Sequence, residues 1–163
     1  GTMTPTSQDL ALLRRRQANL PGGVLVGWLP GRRGFMIFVH GRLVNPLGSV
    51  RHRMVEYRRR KTWKEGVANA LLTIGYRRGD FDPEAPKRIT LTAHVVRRFD
   101  SINLDAILKP IPDALKECGV IDDDRDSAGH EFVYAPQVID RTCPGVRVEV
   151  TPMPDDWSPE VKP

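Results

Sequence analysis

The chain has 163 residues, 40% of them hydrophobic, which suits one domain with a substantial core and leaves little for a second. Lys and Arg total 25 against 20 acidic residues, for a formal charge of +5; basic residues crowd the first two thirds and carboxylates the last third, an asymmetry that favours a polyanionic partner. No apolar run is long enough to span a bilayer, no charged-then-apolar leader opens the chain, and Cys118 and Cys143 are too few and too far apart for a secreted disulfide framework or a zinc knuckle, so a cytoplasmic protein with reduced, structural thiols is expected.

Gly1 and Thr2, ahead of Met3, read as a cloning remnant, and residues 1–23 as a peripheral segment. Within it Leu10 and Leu13 sit at helical spacing between a Ser7 or Asp9 cap and the Pro21-Gly22-Gly23 break. Residues 24–151 read as the main domain. Val24 to Trp28 has strand character, Pro30 to Gly34 is a turn, and Phe35 to Val39 is a short apolar strand. Gly41 to Val55 carries Arg42, Arg51 and Arg53 without a sustained period and reads as a basic loop. From Tyr57 onward Trp63, Val67, Ala70, Leu71 and Ile74 mark a core-facing helix that Gly75 or Gly79 stops, with Arg58, Arg59, Arg60 and Lys61 in its leading turns.

Ile89, Leu91, Ala93 and Val95 alternate with polar residues, the period of a half-buried strand over residues 88–96. Leu104, Ile107, Leu108, Ile111, Leu115 and Cys118 then define a helical face closed by Gly119, with a kink or restart expected near Pro110 because its ring removes an N–H and clashes one turn back. His130 to Ala135 and Val146 to Val150 suggest a closing hairpin, and residues 152–163 a mobile acidic, proline-rich tail. The fold class that follows is α+β, a small mixed β-sheet with two main helices packed on one face.

The stretch Phe99 to Asp126 brackets its helix with carboxylates at both ends: Asp100 and Asp105, then Asp122, Asp123, Asp124 and Asp126. If those ends meet, the carboxylates form a site for a divalent cation. Taken by themselves, the trailing aspartates read rather as a solvated, capping loop. Asp113 reads as a surface or helix-start residue, His94 as a packed histidine and Trp63 as core. Positive charge at a helix start opposes the helix dipole, so Arg58, Arg59, Arg60 and Lys61, with Arg51, Arg53, Arg97 and Arg98, read as phosphate contacts.

The run Asn103-Leu104, Lys109-Pro110, Asp113-Ala114-Leu115, Gly119 and Asp123-Asp124 resembles the RusA-type Holliday-junction resolvases, phage members included. The likeness spans roughly residues 35 to 150, and His40-Gly41-Arg42 with its basic loop is similar to that family's first strand and arginine-rich loop. It implies a RusA-like fold and a homodimeric endodeoxyribonuclease that cuts four-way junctions and related branched DNA. Mg2+, with Mn2+ as a substitute, would be held by Asp100, Asp105, Asp123 and Asp124, and Lys109 would contact the phosphate or orient water. Asp100 answers to the first family aspartate in one register, with Ile102 at the second; Asp105 answers to the second in the other, with Asn103 at the first. Two other readings accompany this one: a junction-binding protein of the same fold without the chemistry, and a basic module for RNA or single strands.

Overall fold

The computed structural model describes residues 20, 25–45, 53–123 and 129–154. The expected N-terminal helix, residues 155–163 of the expected tail, Arg51 and Asp124 lie outside them, whereas Pro152 at the start of that tail is strand-paired with Lys87. The elements in chain order are β1 (Gly27–Trp28), β2 (Phe35–His40), α1 (Arg53–Thr73), β3 (Lys87–Val95), α2 (Ser101–Leu108), α3 (Pro110–Glu117), β4 (Glu131–Tyr134), β5 (Val138–Ile139) and β6 (Gly145–Pro152). This is the α+β class, a six-stranded mixed sheet in the order β1-β2-β6-β3-β4, with β5 also on β3. No helix among the described residues is long and apolar enough to cross a membrane.

Period-two alternation decides the faces. Phe35, Ile37 and Val39 of β2, Ile89, Leu91, Ala93 and Val95 of β3, and Val146, Val148 and Val150 of β6 enter one core with Trp63, Val67 and Leu71 of α1 and Leu104, Ile107, Leu108, Ile111 and Leu115 of α2 and α3. All the helices therefore cover the same side of the sheet. Trp28, Phe35, Tyr76 and Phe81 close its lower end as an edge-and-stack cluster, in which the Trp28 ring N–H donates to the Ile74 carbonyl at 2.8 Å.

Local chemistry sets the helix boundaries. α1 starts at Arg53, earlier than the expected Tyr57, because Glu56 in its first turn complements the dipole and pairs with Arg59 and Arg60. Gly75 and Gly119 end α1 and α3 in the same way. Each has a positive φ, 79° and 77°, and the following amide reaches back to the third-last helical carbonyl: Tyr76 N–H to Leu71 at 2.9 Å, Val120 N–H to Leu115 at 2.9 Å. Pro110 restarts the second helix as α3, as its ring requires.

Two strand expectations need correction. Of the described residues 25–28 only Gly27 and Trp28 pair, with Met36 and Phe35. The closing hairpin does not form: β4 runs parallel to β3, from Arg88 opposite Glu131 to Leu91 opposite Tyr134, and β6 inserts antiparallel between β2 and β3. Alternation fixes which face a residue takes and says nothing about its neighbours. β6, whose three valines are wholly buried, is placed at the centre, where burial is greatest.

Candidate functional site

Strand direction divides the molecule into two ends. β2 and β3 are both antiparallel to β6 and so parallel to one another, and β4 is parallel to β3. Each helical crossover therefore leaves from the C-terminal end of one strand and returns to the N-terminal end of the next. The loops at 41–45, 96–100 and 140–144 share the upper rim, and those at 80–86 and 119–123 the lower. In open sheets with parallel strands the upper rim is where ligands bind.

That rim is rich in arginine. Arg42, Arg97, Arg98, Asp100 and Asn103, with apolar residues of the same two loops, line a cleft of about 390 Å³. Arg42, Arg53, Arg58, Arg97, Arg98 and Arg141 are exposed and make no ion pair with other described residues. Gln137 fixes the 96–100 loop by imitating a strand partner: its Oε1 accepts from the Phe99 N–H at 2.9 Å and its Nε2 donates to the Phe99 carbonyl at 2.7 Å. Asp100 occupies the N-cap position of α2, where its carbonyl accepts from the Leu104 N–H at 2.8 Å, but its carboxylate makes no cap bond and stays exposed. Asp105 is exposed one turn further along α2. Lys109, at the joint between α2 and α3, lies 3.9 Å from Asp113 in the first turn of α3.

The trailing aspartates lie at the other end. The Asp122 N–H donates to the Pro83 carbonyl at 2.9 Å, and its Oδ1 accepts from the Asp123 N–H at 2.9 Å and sits 2.7 Å from His130 Nε2. The His130 ring is fully buried, and its Nδ1 accepts from the Lys87 N–H at 3.2 Å. With both nitrogens engaged, His130 is a rivet between the lower loop and β3 rather than a base. Its hydrogen bond is the main reason the Asp122 carboxyl is held below the usual range.

β3 has 9 residues, and at ~3.3 Å per residue it separates the two rims by about 26 Å. Oxygens sharing one magnesium ion lie within about 4 Å of each other. One chain therefore does not bring Asp100 or Asp105 together with Asp123, contrary to the expectation that the two acidic stretches meet. Among the described residues no group of three His, Cys, Asp or Glu is arranged to hold a metal.

Arg59 also leaves the set of phosphate contacts. Its side chain is only 8% exposed, its Nε and Nη2 grip the two oxygens of Glu56 at 2.9 and 2.8 Å, and its Nη1 donates to the Ile107 carbonyl at 3.1 Å. It ties α1 to α2, and its hydrogen bond is the largest cause of the Glu56 carboxyl being pushed down to about 2. The sequence carries this signal: Arg59 precedes Trp63 by one turn and so lies on the apolar stripe. Arg60 pairs with Glu56 at 3.0 Å, and Lys61 approaches Glu65 at 4.0 Å.

Arg42, absent from the expected phosphate contacts, lines the cleft because it lies just beyond the end of β2. On the far face of the sheet, Cys143 Sγ lies 3.6 Å from His40 Nδ1, but burial, with Asp140 adding to it, pushes the thiol up, so this pair does not supply a thiolate. His94 packs edge-on against Phe38, 5.3 Å between ring centres, as a core histidine. No protein-family model and no curated protein matches the chain.

Proposed function

We propose that the protein is a RusA-like endodeoxyribonuclease of four-way junctions. In this reading the upper rim holds DNA phosphates and the carboxylates of two chains together make the magnesium site. The observation that carries it is the exposed Asp100, with Asp105 one turn away, beside a cleft lined by Arg42, Arg97 and Arg98. Guanidinium groups hold phosphate oxygens in fork geometry, and the nearby carboxylates stand where a metal bridging protein and phosphate would lie. The motif from Asn103 to Asp124 gives the same direction. Because the described carboxylates of one chain do not fit a shared ion, no hydrolytic step is assigned to a single chain.

Mixing separately inactive variants tests this. Asp105→Asn and Asp123→Asn, each alone, abolish nicking of a synthetic four-way junction in Mg2+. Co-refolded, they regain one intact site per mixed dimer, made by the wild-type Asp105 of one chain and the wild-type Asp123 of the other. A one-chain site leaves every mixture dead, and that result refutes the two-chain reading.

The separation of the carboxylates favours a second reading, a junction-binding protein that does not cut. Tight binding to the junction with no nicking by the wild-type protein in either Mg2+ or Mn2+ selects it.

A further inference from the structure

We infer that the upper-rim cleft takes one unpaired nucleobase as well as phosphates, with Phe99 as the platform on which that base stacks. The inference rests on the proposed reading for the source of the base, a junction branch point, but its observations are independent of that reading.

Phosphate oxygens need only donors, and the cleft offers more. Leu43 and Val44 reach it from the loop after β2, and Val96 and Phe99 from the loop after β3, so each loop adds apolar surface among the arginines. Val44 is 46% exposed and adds little to the core. The cleft volume of about 390 Å³ lies within the range, roughly 300–1,000 Å³, of pockets that hold small organic molecules, and it exceeds what one phosphate group fills.

Phe99 is placed as a platform is. It packs partly against the core and also lines the cleft. Gln137 holds both its N–H and its carbonyl, at 2.9 and 2.7 Å, so its backbone is already ordered before anything binds. An aromatic face stacks on any base, because every base has a π-face. Asn45 and Asn103 bring amides to the same cleft, and an amide both donates and accepts, which matches the edge of a base rather than the acceptor-only surface of a phosphate. Arg97 and Arg98 directly precede Phe99 in the chain and are exposed, ready for the phosphates that flank the stacked nucleotide. Taking a base out of the stack costs least where its pairing is already broken, as at an open branch point or in a single strand.

Anisotropy titrations of the full chain in EDTA, which prevents cutting, test this. The probes are a linear duplex, a four-way junction with one unpaired thymine at its branch point, the same junction with an abasic residue there, and a short oligothymidine beside an abasic strand of equal length. Wild type is expected to bind the thymine junction roughly tenfold more tightly than the abasic one. That ratio should hold between roughly 50 and 200 mM salt while both affinities fall. Phe99→Leu keeps an apolar side chain against the core and is expected to bring the ratio close to one with the salt slope unchanged. Val44→Ser, at an exposed position, should lower the ratio without touching the core, and circular dichroism verifies that both variants are folded. Equal affinity for the thymine and abasic junctions, or a preference that survives both substitutions, overturns the inference. Discrimination on single strands with no preference for junction over duplex keeps the base site and removes the junction reading. Nicking of the junction in Mg2+ without discrimination removes the base site and keeps the nuclease.

Discussion

Replacing Glu56 by Gln tests whether Arg59 is a strut. The Glu56 carboxylate accepts two hydrogen bonds from Arg59 and one from Arg60, and its pKa falls from 4.5 to about 2. At about 1.4 kcal/mol per pK unit the ceiling is about 3.4 kcal/mol. The two side chains are 16% and 8% exposed, so screening is partial and about 2 kcal/mol is the expected loss near neutral pH. The sign follows from the lowered pKa: the contribution is complete above 4.5 and drains away as pH falls toward 2. Urea unfolding followed by tryptophan fluorescence should therefore show wild type and Glu56→Gln about 2 kcal/mol apart near neutrality, with the gap narrowing below pH 4.5 and closing toward about pH 2. Equal stability near neutrality, or a gap that persists unchanged in acid, would refute the assignment.

Arg97→Ala and Arg98→Ala should each weaken junction binding and reduce the salt slope of log K by about 1, whereas Arg59→Met should leave that slope intact; titrations at several salt concentrations decide. His94 is buried with neither ring nitrogen hydrogen-bonded, so His94→Leu should raise stability by about 1 kcal/mol in denaturant titrations near neutral pH. Burial first, then Arg147, lowers the His94 pKa, so the folded state resists its protonation. Wild-type stability should accordingly decline as pH falls below 6.5, by a component that His94→Leu lacks. His130→Ala removes a wholly buried ring and strands the Lys87 N–H, and should cost about 3 kcal/mol by thermal or urea unfolding.

The sequence made the elements legible wherever one periodicity was uninterrupted. The alternation of Ile89 to Val95 gave β3, the Leu104 to Leu115 stripe gave α2 and α3, and Pro110 gave their break. Strand order was hidden, since the wholly buried Val146, Val148 and Val150 suit a central strand, but nothing local says that β2 and β3 flank it. From that order comes the fact that matters most for the site, namely which rim each loop joins. Asp100 and Asp123 lie at opposite ends of one crossover, and spacing along the chain cannot reveal this. The charge run at 58–61 was visible, but only its phase against Trp63 separates inward Arg59 from its exposed neighbours.

The break at Lys109 has a mechanical consequence. Pro110 and Pro112 lack the amides that would otherwise reach the carbonyls of Ala106 and Leu108, and the Asp113 N–H to Lys109 bond is stretched to 3.5 Å. Across this joint the helix is sutured by a guanidinium from a different helix, which grips the Ile107 carbonyl. Hydrogen–deuterium exchange at the Ile111 and Asp113 amides should thus report on α1: loosening Arg59 should speed deuterium uptake there while the amides of β3 keep their protection.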